Sequence, residues 1–239
     1  MPAASNQMTM NLLACLTLLA AQDAEWKERI AALPASGERW YTYSVAGNRV
    51  GYVHLRCAAA QHEGAAVLRL DMRLAIRCGE RTLQWKSVSL LKLDGFLTPI
   101  RYDADVSGDE VGKIEAVFSP AKVAVGGKEQ AVPDRLITTE AEFVLVGTMP
   151  LKIGTRLEYN SYETEDQRAK SSHVLEVVGE EEIVVGGAKL RCTKIRHSGK
   201  GCGEHFYWVD SDRRVARILF DGDKQLDWTD EETATGEKR

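Results

Sequence analysis

The residue types best suited to chemistry are concentrated in one segment, CTKIRHSGKGCGEH, which contains Cys192, His197, Cys202 and His205. Thiolates and imidazoles are the ligands of structural zinc sites. Such sites usually hold two ligands close together, as in Cys-x₂-Cys, and Cys192 is further than that from His197. In a regular strand these two side chains would also point to opposite faces. We therefore expect a strand, a glycine-rich loop and a return strand, with no bound metal and no cofactor.

Cys202 is also a candidate nucleophile, because Gly201 and Gly203 on either side leave its thiol accessible. A thiolate nucleophile needs an adjacent imidazole and a third group that orients the imidazole. His197 and His205 are near in sequence, but their spacing does not specify that geometry. A thiol-dependent hydrolase that uses Cys202 with a histidine is therefore an alternative, and we predict a protein without catalytic residues.

Two acidic pairs, Asp103 with Asp105 and Asp210 with Asp212, offer the oxygen ligands that a hard cation binds. Asp210 and Asp212 lie between two predicted strands, where aspartate is a common turn residue, and neither pair continues into an EF-hand spacing. The chain also lacks Gly-x-Ser-x-Gly, His-Glu-x-x-His, phosphate-loop and dinucleotide-binding motifs. The sequence therefore predicts neither a metal-dependent nor a nucleotide-dependent enzyme.

Composition and charge are those of an ordinary globular protein. The 239 residues are 44% hydrophobic and 28% charged, with a formal net charge of −4. This composition is too apolar for a disordered chain. Lysines and arginines are scattered along the sequence, so no basic surface for nucleic acid is indicated. We expect no nucleic-acid partner.

The N-terminus contains an apolar run from Asn11 to Ala21 that has the length of a signal-peptide core. It is shorter than the ~20 residues that span a bilayer. Residues 1–10 carry no lysine or arginine, so the usual basic segment is missing, and a buried N-terminal helix is the alternative. We assign residues 1–21 to a signal peptide and expect a periplasmic or secreted protein without an integral membrane segment.

Cysteines beyond the predicted signal peptide occur at Cys57, Cys78, Cys192 and Cys202. An even number of cysteines in an exported chain permits disulfides, and the sequence does not select a pairing. Buried free thiols, which pack as small apolar side chains, fit the same pattern. The sequence leaves both interpretations open.

The segment from Arg39 to Cys57 predicts a β-hairpin, because aromatic and β-branched residues flank Gly47-Asn48. A two-residue type II′ turn at Gly47-Asn48 would pair Trp40 with Leu55 and Tyr43 with Tyr52. Trp40, Val53 and Leu55 would then form the face towards the core.

Three tyrosines on the other face of this hairpin are the predicted ligand-binding residues: Tyr41, Tyr43 and Tyr52. A phenol has an apolar ring and a polar tip, which suits the wall of a concave binding surface. The alternative is that a helix covers this face, so that the tyrosines belong to the core.

Beyond the hairpin the pattern remains that of β-strands. Leu68 to Cys78 alternates apolar with charged residues, as in a half-buried strand, and further strands with glycine-rich turns continue to Phe220. Thr139-Glu140-Ala141-Glu142 is a capping box that predicts one short helix, and Trp26 to Leu33 predicts another. The sequence therefore predicts an all-β, mainly antiparallel protein with one or two short helices.

No repeat and no linker divides the chain, so one domain is expected. Residues 22–38 form a predicted N-terminal helix or linker, and residues 39–229 a single β-rich domain. Residues 230–239 are charged and poor in apolar side chains, which predicts a flexible tail.

A resemblance to a known family is carried by four segments together: WYTYSVAGNRVGYVHLR, Asp94-Gly95, Gly154 after Pro150, and FYWVDSDRRVARI. Through these segments the chain resembles a family of poorly characterised bacterial extracytoplasmic β-rich domains. Some members stand alone, and others lie in front of transglutaminase-like peptidase domains. The resemblance covers residues from about 40 to about 233. It implies a large curved antiparallel sheet or open β-barrel, and it supplies no catalytic residues.

These observations favour a non-enzymatic extracytoplasmic binding or accessory domain, which holds an apolar ligand or an envelope protein partner on a concave sheet. Besides the thiol-dependent hydrolase, a purely structural envelope component is the remaining alternative. The implied fold is broadly similar to that of periplasmic carriers of hydrophobic molecules, and this comparison rests on fold analogy alone.

Export gives the first testable prediction. If Asn11 to Ala21 is the core of a signal peptide, the mature protein begins at or shortly after Gln22. N-terminal sequencing of protein recovered from the cell envelope measures this directly. Recovery of chains that still begin at Met1 would contradict the assignment.

Overall fold

The computed structural model describes residues 25–109, 111–164, 166–200, 202–220 and 223–236. The predicted signal peptide, residues 1–21, lies outside these ranges, so its assignment stays a prediction. Within them the chain forms strands and short helices. The helices are α1 (25–32), which continues into a 3₁₀ turn (Leu33–Ala35), α2 (Thr139–Thr148) and α3 (Glu231–Thr235).

The strands are long in the first half of the chain and mixed in length in the second. They are β1 (Glu38–Val45), β2 (Asn48–His62), β3 (Ala65–Cys78), β4 (Arg81–Lys92), β5 (Pro99–Gly108), β6 (Gly112–Ser119), β7 (Lys122–Val125), β8 (Lys128–Ala131), β9 (Leu136–Thr138), β10 (Arg156–Glu163), β11 (Arg168–Val185), β12 (Ala188–Gly199), β13 (Cys202–Val209), β14 (Val215–Leu219) and β15 (Lys224–Thr229).

All of these strands belong to one 15-stranded sheet in the order β8-β7-β6-β5-β4-β3-β2-β1-β15-β14-β13-β12-β11-β10-β9. Every neighbouring pair is antiparallel except β9 with β10. Sequential hairpins account for most neighbours, and the pairing of β1 with β15 joins the two halves of the chain. The predicted all-β, mainly antiparallel class is therefore confirmed, with three short α-helices where one or two were expected.

The two ends of the sheet curl towards each other. The ring of Phe118 on β6 packs edge-on against that of Tyr162 on β10, with centroids 5.1 Å apart. Gln130 on β8 donates a hydrogen bond of 3.2 Å to the carbonyl oxygen of Gln167. These contacts join ends that lie far apart in strand order, so the sheet has the shape of an open, curved barrel.

Helix α2 fills the concave side of this sheet, and every residue from Glu140 to Thr148 is buried. A helix that is apolar around most of its circumference is stable only when it is enclosed on all sides. Its N-cap is Thr138, whose Oγ1 accepts a hydrogen bond of 3.4 Å from the Ala141 amide. The helix therefore begins one residue earlier than a capping box at Thr139 requires, and its acidic residues serve other contacts.

The register of the first hairpin differs from the predicted one. Ala46 and Gly47 form the turn with φ of 50° and 75°, the positive values of a type I′ turn. A bulge next to Tyr43 then pairs Trp40 with His54 and Tyr41 with Val53. The prediction that Trp40 lies on the core face is wrong, because the turn position and the bulge together exchange the faces.

The C-terminal segment contains the short helix α3. Asp230 caps α3 by accepting a hydrogen bond of 2.7 Å from the Thr233 amide, and Ala234 is buried. Gly236 ends the helix in the left-handed conformation. The division of the chain into one β-rich domain and a flexible tail at residues 230–239 stays a prediction.

Gly51 is required where β3 crosses closely over the bulge of β2. A Cβ at this position would lie 1.9 Å from the carbonyl oxygen of Ala75. Any larger residue must push β2 and β3 apart, whereas Gly112 on β6 has no atom within 4 Å of the same position.

Gly51→Ala is therefore expected to lower the free energy of unfolding by about 1–3 kcal/mol, the usual cost of overpacking. The matched substitution Gly112→Ala should change it little, because its methyl group meets open space. Urea unfolding followed by circular dichroism measures both values. Equal stability of the two variants would contradict the close approach at Gly51.

Candidate functional site

The three tyrosines predicted to bind a ligand do not form one surface. Tyr41 is 0% exposed and belongs to the core, where burial raises its pKa. Tyr43 is half-buried against the same core. Tyr52 lies on the opposite face, with its ring 5.7 Å from that of Trp40. The shared face predicted from the wrong register is therefore absent, and a ligand-binding role for these residues stays a prediction.

The concave side holds a set of buried polar contacts that we call the inner polar cluster, which is built on two carboxylates of α2. Tyr102 on β5 and Thr164 donate to Glu140 Oε1 at 2.8 and 3.2 Å. Two residues further along the helix, Glu142 accepts from Tyr159 at 2.6 Å and from Tyr207. Burial and the neighbouring Glu140 carboxylate raise the pKa of Tyr102. The predicted surface for an apolar ligand is thus occupied by the protein's own helix and tyrosines.

A line of histidines continues the inner polar cluster across β11, β12 and β13. His173 Nδ1 lies 3.0 Å from His197 Nε2, and His197 Nδ1 lies 3.3 Å from His205 Nδ1. Ser161 Oγ is 3.0 Å from His173 Nε2 and donates to Glu163 at 2.9 Å. If Ser161 donates to Glu163, each ring can donate to its neighbour in turn while all three stay neutral.

Protonation of His173, the ring at one end of this line, is unfavourable. His173 is buried, and the pKa of its imidazole is lowered first by burial and then by the neighbouring His197. Within the described residues no group of histidine, cysteine or carboxylate side chains is arranged to hold a metal ion. The reason is visible at His197, whose two nitrogens face different neighbours instead of one common point.

Cys192 and His197, two of the residues considered as zinc ligands, lie on opposite sides of the sheet. Cys192 packs in a small cluster with Ile183 and Trp208 on the outer face, whereas His197 belongs to the inner polar cluster. The expectation that the two point to opposite faces is confirmed. Burial raises the pKa of Cys192 to about 11, which disfavours a reactive thiolate.

The thiols that the structure describes are free. Cys57 and Cys192 are buried and Cys78 is exposed. Only the backbone of Cys202 is described, at the start of β13. The thiol-dependent alternative, which relies on the Cys202 side chain, therefore stays untested.

The outer face of β1 to β6 carries a groove of about 840 Å³, which we call the outer groove. Its central row consists of directly opposed residues on successive strands: Trp40, His54, Arg73, Lys86, Asp105 and Lys113. Glu231 at the start of α3 completes one wall. Strand alternation places all of these side chains opposite the core, so the groove is polar.

One end of the outer groove is built around a buried imidazole. His54 is 6% exposed and stacks on Trp40, with ring centroids 4.0 Å apart. Its Nε2 lies 3.3 Å from Glu38 Oε2, and its pKa is lowered mainly by burial. The sequence indicated only that Arg69, Asp71 and Arg73 face away from the core, because the partners across the strands depend on register.

The sequence matches no known protein family and no curated protein. Among solved structures, the fold is similar to a β-barrel-like protein of a domain of unknown function (DUF1849) from Brucella abortus. That similarity has 12% identity and a TM-score of 0.48, and it covers 80% of this chain and 94% of the other. The hypothetical lipoprotein YmcC from Escherichia coli is similar at 10% identity and a TM-score of 0.35, over 83% of this chain and 88% of the other. At TM-scores below 0.5, these similarities support no inference about activity.

The histidine line predicts a loss of stability in acid. Because the folded state lowers the pKa of His173 below its ordinary value of 6.5, the unfolded chain takes up the proton first as the pH falls. The free energy of unfolding should therefore decrease from pH 6.5 towards the lower folded-state pKa. In His173→Gln this decrease should be smaller, while His54, whose pKa is lowered as well, still contributes.

Urea unfolding between pH 7.5 and 5 measures the effect. The control His62→Gln removes a histidine outside the inner polar cluster and should follow the wild-type profile. A decrease of the same size in His173→Gln and in the wild type would contradict the assignment.

Proposed function

We propose that the protein is a non-enzymatic binding or accessory domain of the bacterial cell envelope, and that its ligand or partner occupies the outer groove. The observation that supports this location is the filling of the concave side by α2. A ligand inside the sheet would have to displace Glu140 and Glu142 from their tyrosine partners. Such a displacement would leave buried polar groups without partners, at a cost of about 1–3 kcal/mol for each group.

The burial of the reactive side chains supports a role without catalysis. Ser161, which contacts His173 as a nucleophile would contact its base, is 2% exposed. Glu142 already accepts a hydrogen bond on each of its oxygens. A substrate would have to open the sheet to reach either residue. The competing function is the hydrolase that depends on Cys202, and alkylation of that thiol distinguishes the two.

An extracytoplasmic location is part of the proposal. The signal-like sequence supports it, and no helix within the described ranges has the length and apolarity needed to cross a bilayer. The resemblance to domains that precede transglutaminase-like peptidase domains favours an accessory role over a purely structural one.

An apolar ligand would use a different place. A second groove, of about 890 Å³, lies between the connections at one end of the sheet, and its apolar walls include Val67, Leu93, Phe118 and Leu136. If the ligand is apolar, we therefore propose that it binds in this end groove and not on the concave face. The two grooves lie on different surfaces, so the position of binding can be tested by substitution.

The test compares two fractions of a bacterial envelope, a water-soluble extract and a lipid extract, by the change in melting temperature that each produces. We expect the water-soluble extract to raise the melting temperature of the wild type. In Trp40→Ala, which alters the outer groove, the shift should be lost. In Tyr43→Ala, which alters the inner face of the same strand, the shift should persist on a lower baseline.

An increase in melting temperature with the lipid extract alone would contradict binding in the polar outer groove and favour binding in the end groove. Loss of activity against ester substrates after alkylation of Cys202 would replace the binding function with the thiol-dependent hydrolase. No shift with either extract would reject the proposed binding function.

A further inference from the structure

Two basic side chains stand directly opposite each other in the middle of the outer groove. Arg73 on β3 pairs in register with Lys86 on β4. Directly opposed residues on antiparallel strands have Cβ atoms about 4.5–5.5 Å apart, and like charges at this distance destabilise the sheet. The repulsion between Arg73 and Lys86 therefore lowers the stability of the sheet, and the fold itself does not require this pair.

The other basic side chains of the outer groove are neutralised by nearby carboxylates. Arg69 binds Asp71 at 2.7 Å, and Lys113 lies 3.5 Å from Asp105. Arg56 lies 3.8 Å from Glu38 in the same way. Within the described residues, no carboxylate lies within ion-pair distance of Arg73 or Lys86. Asp105 lies directly opposite Lys86 on β5, and its carboxylate pairs with Lys113 at 3.5 Å.

The wall beside this pair also has spare hydrogen-bonding capacity. His54 lies directly opposite Arg73 on the other side, so that three nitrogen-bearing side chains follow one another across β2, β3 and β4. Its Nδ1 is buried and has no hydrogen-bond partner among the residues described. The stacked Trp40 ring fixes the imidazole plane at this end of the row.

We propose that Arg73 and Lys86 together bind an oxyanion, a phosphate or carboxylate group carried by the ligand of the outer groove. A guanidinium donates two parallel hydrogen bonds to such a group, and an ammonium adds a mobile point charge. The anion would remove the repulsion between the two cations, which explains why neither needs a carboxylate of the protein. The inference deepens the proposed function and takes from it only the outer groove as the binding surface.

Inorganic phosphate and acetate serve as probes, each titrated into isotopically labelled full-length chain at low ionic strength and followed by nuclear magnetic resonance. The expected result is saturable binding that shifts the backbone signals of β3 and β4. Lys86→Gln should weaken it by about fivefold, as for loss of one partly exposed charge contact. The control Lys122→Gln removes an exposed lysine that pairs with Glu129 on β7 and β8, and it should bind like the wild type.

Thermal unfolding without any anion provides a second readout. Lys86→Gln removes the repulsion with Arg73 together with the attraction to Asp105, which lies opposite on β5. Its melting temperature should therefore stay within about 1–2 °C of the wild type, whereas replacement of a residue needed for packing would lower it more. Phosphate should then raise the melting temperature of the wild type more than that of the variant. The comparison of phosphate with acetate decides which oxyanion the pair prefers.

Absence of saturable binding by both probes would overturn the inference, and so would equal weakening by Lys86→Gln and Lys122→Gln. The two experiments together distinguish failure of this inference from failure of the proposed function. If the envelope extract still gives a shift that depends on Trp40, the groove binds its ligand without an anion contact. If the probes bind but neither extract gives a shift, the oxyanion site exists and the proposed function fails.

Discussion

The placement of two carboxylates of α2 among tyrosine hydroxyls is the constraint on which the rest of this structure depends. A buried carboxylate is tolerated only when hydrogen-bond donors surround it. Glu140 takes its donors from Tyr102 on β5 and from Thr164, and Glu142 takes its donors from Tyr159 on β10 and Tyr207 on β13. These strands come from both halves of the sheet, so satisfying two carboxylates requires the sheet to curve around the helix.

This constraint underlies our proposal for where a ligand binds. A curved antiparallel sheet of this kind offers a concave interior, a convex exterior and two open ends as possible binding surfaces. The interior is occupied by α2, and the histidine line from Ser161 to His205 extends the same hydrogen-bonded packing. The exterior of β1 to β6 carries ion pairs and the directly opposed basic residues Arg73 and Lys86, which form no ion pair within the described ranges. Our proposal that the protein recognises a charged group rests on this accessible surface.

The errors about the first hairpin share one cause, which is register. Gly47-Asn48 and Ala46-Gly47 are both acceptable two-residue turns, and moving the turn by one residue changes the pairing by two residues, which keeps the same faces together. The bulge next to Tyr43 changes the pairing by one residue, and this places Trp40 in the outer groove and Tyr41 in the core. On β4, Ser87 and Ser89 occupy core positions between Trp85 and Leu91, so polar side chains interrupt the apolar face of this strand.

Local chemistry in the sequence determined the fold class, most strand positions and the existence of α2. Alternation from Leu68 to Cys78 and the glycine pairs at residues 126–127 and 186–187 act over a few residues, and their geometry follows from backbone preferences alone. Only the tertiary structure decided which side chains meet. His173 and His197, or Arg73 and Lys86, become neighbours through turns and bulges that set the register of whole strands. Long-range pairing of this kind is a property of the assembled sheet, because no local preference of either residue encodes its partner.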